Sequence, residues 1–217
     1  MIKPKVKICC ISSKQEAFDA ISFGASALGL VGEMPSGPGV ISDEEIFEIA
    51  QAVPPPIATF LLTSNVTAKE IIEHHKRTQT NTIQIVDELA DRTYHEIRAA
   101  LPSVKLVQVV HVTGERSFDE AVELSEFVDA ILLDSGNPSL EIKELGGTGR
   151  RHDWRLSRKI VEAIEKPVFL AGGLNAENVR EAIGTVQPFG LDLCSGVRTE
   201  GKLDKQKLER FFGALEK

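Results

Sequence analysis

The reactive side chains of this sequence gather at the ends of apolar runs. Asp134 closes the run VDAILLD, and Cys9 closes KPKVKIC with Lys7 two residues before it. Side chains in an extended run alternate between two faces, so Val128, Ala130, Leu132 and Asp134 share one side and Ile131 and Leu133 the other. The aspartate thus ends a buried strand, a place where a carboxylate needs a reason. Residues 135–150 show no apolar period and contain Gly136, Pro138 and the stretch Gly146-Gly147-Thr148-Gly149. A loop of that length in a compact domain is usually functional or disordered. Gly147, Thr148 and Gly149 offer clustered backbone N–H groups and room for an anion, and Asp153 with Trp154 then opens a helical pattern. An acid or base working beside a phosphate is one reading of the stretch; an Asx turn followed by a flexible loop is the other.

The elements that must hold these residues alternate along the chain. Strand candidates are residues 5–10, 27–31, 57–62, 82–86, 105–111, 128–134, 168–171 and 190–194. Helix candidates are residues 14–23, 43–52, 68–77, 93–100, 118–127, 154–164, 176–183 and 205–215. Ser42, Thr67, Asp91, Ser117, Asn175 and Asp204 stand where N-caps belong, and Glu45 completes a capping box with Ser42. Eight strands alternating with eight helices in 217 residues predict a single-domain α/β fold, the closed (β/α)8 TIM barrel, over residues 1–217. An open flavodoxin-like sheet is the alternative, and it would normally stop at five or six strands.

Barrel closure makes strand parity informative. In the first strand Val6, Ile8 and Cys10 face one way, against the helices, which turns Lys7 and Cys9 inward. An inward lysine is costly unless paired. Asp192 on strand eight is its expected partner, because strands one and eight adjoin in a closed barrel. Gln84 and Asp134 point inward as well, so polar groups from four strands converge near the C-terminal mouth, where barrel active sites lie. Cys9 could be a small buried hydrophobe, the common fate of a free cysteine, or a thiol activated by the neighbouring ammonium. Strand seven ends in Gly172-Gly173 and strand eight leads into Ser195-Gly196-Val197-Arg198, two small turns at the same face. Barrels that bind phosphorylated sugars commonly hold the phosphate there, on backbone N–H groups and a short helix, for which residues 196–199 have the right length.

Composition narrows the partners. A net charge of -7 without a dense Lys/Arg run argues against nucleic acid or an anionic membrane surface. No apolar run approaches a membrane span, no signal-type segment opens the chain, and a cytoplasmic location is the default expectation. Three cysteines, two of them adjacent, make no disulfide framework, and metal binding is not expected without CxxC pairs or clustered histidines.

With these residues in view, the sequence resembles the phosphoribosylanthranilate isomerase family along nearly its whole length. Lys7-Ile8-Cys9 is similar to the family's strand-one K-x-C, and Gly24-Ala25 through Leu28-Gly29 to its G-A-x-x-x-G. Leu133-Asp134, Gly147-Thr148-Gly149 and Asp153-Trp154 resemble its L-D and G-T-G-x-x-x-D-W series, and the ends of strands seven and eight resemble its phosphate-binding turns. The resemblance implies an Amadori rearrangement of an N-glycosidic phosphosugar in tryptophan biosynthesis, with no cofactor or metal, carried out by a monomer or homodimer. It makes Asp134 the general acid toward the ring oxygen and Cys9 the general base at C2, so the cavity must push two pKa values in opposite directions. The chain departs from the pattern in four places: Pro38 stands where an arginine is expected, Cys10 replaces a glycine, strand four ends in Val86-Asp87, and Arg198 occupies a glutamate position. These keep two other readings open, an isomerase of a different N-glycosyl sugar phosphate and a non-catalytic barrel that binds a phosphate ligand. Arg198 and Arg150 stand in loops where they could replace the missing cation, Arg198 the better candidate of the two, and the other reading is that both are solvated or help hold the phosphate.

Overall fold

The computed structural model describes residues 3–136 and 151–216. Gly147, Thr148, Gly149 and Arg150 lie outside the described residues. The eight strands are β1 (Lys5–Ile8), β2 (Ala27–Val31), β3 (Ala58–Thr63), β4 (Thr82–Ile85), β5 (Lys105–His111), β6 (Ala130–Asp134), β7 (Val168–Leu170) and β8 (Gly190–Leu193). They pair in sequence order, all parallel, and close into a barrel where β1 meets β8. The closing register places Lys7 opposite Asp192 and Ile8 opposite Leu193.

Eight helices surround the strands: α1 (Lys14–Phe23), α2 (Asp43–Ala52), α3 (Ala68–Thr78), α4 (Tyr94–Ala100), α5 (Arg116–Ser125), α6 (Trp154–Ala163), α7 (Val179–Val186) and α8 (Lys205–Ala214). None of the described helices is long and apolar enough to cross a membrane. Most begin where a short polar side chain can satisfy the first free N–H groups. Ser42 and Glu45 form the full capping box on α2, Thr67 caps α3, and Asp153 and Asp204 each accept two backbone N–H groups at the starts of α6 and α8. Three expected caps are elsewhere, and one of them is that of α7, which starts at Val179 with Asn178 rather than Asn175 at the N-cap position. Residues 90–92 form a 3-10 turn rather than a cap at Asp91, so α4 starts one residue later than expected, at Tyr94. Ser117 lies inside α5, its hydroxyl donating to His111 O at 3.0 Å.

Apolar side chains fill two layers. Outward residues of the strands, such as Ile8, Leu28, Ile83, Val110 and Ile131, pack against the helices. Inward residues, among them Phe60, Val107, Leu132 and Phe169, fill the barrel itself, with Phe60 and Phe169 meeting edge to face at 6.0 Å. The interior is therefore solid below and open above, which confines ligand access to the C-terminal mouth. Beyond β8 the expected short helix is a single 3-10 turn, Ser195–Val197; the chain then forms a two-stranded hairpin, β9 (Arg198–Thr199) with β10 (Lys202–Leu203).

Candidate active site

At the C-terminal ends of the strands lies a cavity of about 670 Å³, counting its open mouth, lined by Cys9, Gln84, Asp134, Gly172, Gly173, Asp192 and Ser195 together with apolar neighbours. Parity brings these groups together: each is the inward residue of its strand or stands in the turn directly after one. At its base Lys7 is completely buried, and its Nζ donates to Asp192 Oδ2 at 2.9 Å. Phe60 offers its ring face 5.3 Å from the same ammonium. Burial alone would lower the lysine's pKa, but the Asp192 carboxylate and then Cys9 outweigh it and keep the amine protonated. A Cβ at Gly29 would lie 2.8 Å from Cys9 Sγ and 3.0 Å from Lys7 Nζ. Thiol and ammonium thus press on the same point of β2, which only a glycine leaves free. The Cys9 thiol is held below its ordinary pKa, first by the hydrogen bond from Cys10 and, against burial, by the Lys7 charge.

Asp134 is shifted the other way. It is nine-tenths buried at the end of β6, and burial pushes its carboxyl above the usual range; the opposing influences, the Ser135 N–H donating to Oδ1 at 2.8 Å and the nearby His111, are smaller. His111 stands opposite Asp134 in the β5 register, its Nε2 donating to Val86 O at 3.1 Å. One cavity therefore holds a carboxyl biased toward keeping its proton and a thiol biased toward losing one. Gln84 Oε1 and Asp192 Oδ1 are buried acceptors without a hydrogen-bond partner among the described residues, suited to hydroxyl groups of a polyol ligand.

The opposite wall is backbone. Gly172 and Gly173 adopt φ of 83° and 63°, a left-handed pair that side chains resist. Gly196 packs so closely on the preceding turn that a Cβ there would fall 2.0 Å from Leu174 O. Asn178 fixes that turn, accepting from Asn175 N–H and donating to Gly173 O at 2.8 Å. The two glycine turns lie side by side at the mouth, with N–H groups of consecutive residues available to an anion.

The sequence profile of the N-(5'phosphoribosyl)anthranilate (PRA) isomerase family matches residues 6–214. The chain belongs to that family. The N-(5'-phosphoribosyl)anthranilate isomerase of Methanosarcina acetivorans is 35% identical over 97% of this chain and 92% of its own length, and that of Nostoc punctiforme 34% over 97% and 98%. Among solved structures, phosphoribosyl anthranilate isomerase from Thermococcus kodakaraensis superposes with a TM-score of 0.82 at 28% identity, covering 98% of both chains. A phosphoribosyl anthranilate isomerase in complex with reduced 1-(o-carboxyphenylamino)-1-deoxyribulose 5-phosphate gives 0.79, also at 28% and 98% of both chains.

Within this isomerase family fold, two expectations about side chains need correction. Cys10 does not pack outward against the helices. β1 ends at Ile8, Cys10 adopts φ 62°, and the break in the extended backbone ends the alternation and swings the side chain to the cavity wall, beside Cys194 Sγ at 2.8 Å. Arg198 does not reach the cavity. Its guanidinium is buried beneath the mouth and donates to Glu16 Oε1 and Oε2 at 3.2 and 3.0 Å, to Cys9 O and Cys10 O, and to Gly201 O. It ties the end of β1 to the hairpin after β8. Among the described residues lining the cavity there is no arginine, lysine or histidine, and Ser36, Gly37 and Pro38 roof it. Met34, Leu62 and Cys194 also line it; the sequence offered no signal for these, because nothing in an isolated strand end marks which apolar residue a ligand will meet.

Proposed function

We propose that this chain catalyses the Amadori rearrangement of N-(5-phosphoribosyl)anthranilate to the corresponding 1-amino-1-deoxyribulose 5-phosphate, a step of tryptophan biosynthesis. The observation that carries the reading is the opposed pair in one cavity: a carboxyl raised by burial and a thiol lowered beside a buried ammonium. Protonated Asp134 delivers its proton to the ring oxygen, the C1–O bond breaks, and the resulting iminium makes the C2 hydrogen acidic. The Cys9 thiolate takes that proton, leaving an enolamine that tautomerises to the ketose. One proton leaves Asp134 and one arrives at Cys9, so the pair must exchange protons with solvent before the next turnover. No electron leaves the substrate, and the reaction needs no redox partner. Lys7 holds the thiolate's countercharge, Asp192 holds Lys7, and Gln84 and Asp192 face the sugar hydroxyls. Gly172, Gly173, Ser195 and Gly196 receive the phosphate on backbone N–H groups.

A second reading follows from the cavity wall. Anthranilate carries a carboxylate, and a half-buried carboxylate without a cation costs several kcal/mol. With Arg198 committed to Glu16 and Pro38 in the roof, the described wall favours an amine without an acidic group. Purified protein assayed with phosphoribosylanthranilate, together with rescue of a tryptophan auxotroph lacking the isomerase, separates the two. Robust turnover and growth establish the first reading. Folded protein with negligible turnover and no rescue turns the assignment to the same chemistry on another amine.

A further inference from the structure

All three cysteines of the chain meet at the mouth of the cavity, and the proposed chemistry uses one. We infer that Cys10 and Cys194 form an oxidative modification site, closing a reversible disulfide across the cavity mouth when a peroxide reaches it. The two sulfurs lie 2.8 Å apart. Van der Waals contact alone would hold them farther apart, and closure by less than about 1 Å reaches the S–S bond length of about 2.05 Å. The backbone prepares the approach: Ile8 and Leu193 are register partners, Cys9 N donates to Leu193 O at 2.7 Å, and the left-handed turn at Cys10 directs its side chain toward β8. No helix intervenes between the two residues, so no unfolding is needed to join them.

Cys194, the more exposed of the two, is the entry point, because Cys10 is held as a thiol by its hydrogen bonds with Cys194 and Cys9 and then by burial. The Cys194 sulfur attacks one peroxide oxygen. An S–O bond forms, the O–O bond breaks, and the departing hydroxide takes the thiol proton as water. Cys10 sulfur then attacks the sulfenic sulfur, the S–O bond breaks, and the second oxygen leaves as water with the Cys10 proton. Two thiols lose two electrons, and hydrogen peroxide gains them.

The link would act on the site through its neighbours. Cys10 now supports the roof: its Sγ lies 3.5 Å from Pro38 O, and a Cβ on Gly39 would meet Cys10 Cβ at 2.5 Å. Cys194 immediately precedes Ser195 in the phosphate-facing turn. A disulfide fixes both segments and draws the roof donor away, and Cys9 takes no part in the link.

The test titrates the full reduced chain with hydrogen peroxide, blocks free thiols by alkylation, and maps peptides by mass. The expected product joins the tryptic peptide of residues 8–14 to that of residues 181–198 with loss of two hydrogens. Fragmentation assigns the bond to Cys10, dithiothreitol reverses it, and Cys194→Ala abolishes it. Where the isomerase reading holds, turnover falls on the order of tenfold or more with the link and returns on reduction. The mass map reads the link whether or not that reading is right. A link through Cys9, free thiols at Cys10 and Cys194 after Cys9 has been oxidised, or a complete link that leaves an active enzyme's turnover unchanged would overturn the inference.

Discussion

Asp134 carries opposite consequences for activity and for stability. A carboxyl whose folded pKa is raised binds its proton more tightly in the native state than in the unfolded chain. Between the unfolded value near about pH 4 and the raised folded value, rising pH therefore costs native stability. Asp134→Asn keeps an oxygen for the Ser135 N–H and removes both the proton to be donated and the buried charge. Its turnover should fall on the order of 10² or more, and its melting temperature at pH 7 should exceed that of the wild type, with the gap closing as the pH drops toward about 4. Equal melting curves at all pH values would mean that burial is not what holds the proton. Arg198 gives the complementary case. Its ion pair with Glu16 is largely shielded from water, and Glu16 lies below the usual carboxylate range because Arg198 and the Leu203 and Ser12 N–H groups outweigh its burial. Arg198→Ala should cost about 2–4 kcal/mol in denaturant unfolding, somewhat below the about 3–5 kcal/mol for stranding one partner of a fully buried pair, because Glu16 keeps some contact with water. A purely kinetic defect with unchanged stability would return Arg198 to the ligand.

Strands and helices place these residues, and glycine substitutions test the placement. Gly29→Ala puts a methyl between Cys9 Sγ and Lys7 Nζ on the inner face of β2, so it should lower turnover on the order of tenfold or more while the barrel still folds. Gly184, exposed inside α7 with open space around a would-be Cβ, should behave oppositely. Gly184→Ala should raise stability by about 0.5–1 kcal/mol and leave turnover untouched, since alanine loses less backbone entropy in a helix. Kinetics and thermal melts on the two variants check both. The same elements explain what was legible beforehand. Alternation along VDAILLD and KPKVKIC aimed Asp134, Lys7 and Cys9 correctly, and barrel closure paired Lys7 with Asp192, because these depend on local period and on neighbouring strands. Cys10 was not legible: parity presumes an extended backbone, and nothing in Cys9-Cys10-Ile11 announces φ 62°. Arg198 was not legible because its partner, Glu16, lies 182 residues earlier, on a helix whose face toward the hairpin is defined only once the barrel closes.

The whole molecule responds to acid through histidines that fold neutral. Burial pushes His152 down to about 4 against only a weak pull from Asp153, and His74 is likewise lowered by burial, against Asp43 and Glu33 and with help from Arg77. His152 bonds Ser157 Oγ at 2.8 Å, while His74 sits between Thr63 Oγ1 at 3.0 Å and Asp43 Oδ1 at 2.9 Å. For a base with a depressed folded pKa, the unfolded chain binds more protons below the ordinary imidazole value of 6.5, so native stability declines as pH falls from there toward about 4. Allowing for the partial exposure of His152, its share is on the order of 1–2 kcal/mol. Overall charge predicts a different profile. The sequence pI is about 5.3, so self-repulsion fades as the pH approaches that value, and a charge-dominated molecule would gain stability there. Asp134 works in the opposite direction over part of this window, but two histidines are lowered against that one raised carboxyl, and we expect the melting temperature to fall from pH 7 to pH 4.5 straight through the pI. His152→Gln, which can keep a hydrogen bond to Ser157, should flatten that slope. A wild-type maximum at the pI, or a His152→Gln curve parallel to the wild type, would show that global charge and not the buried imidazoles governs acid stability.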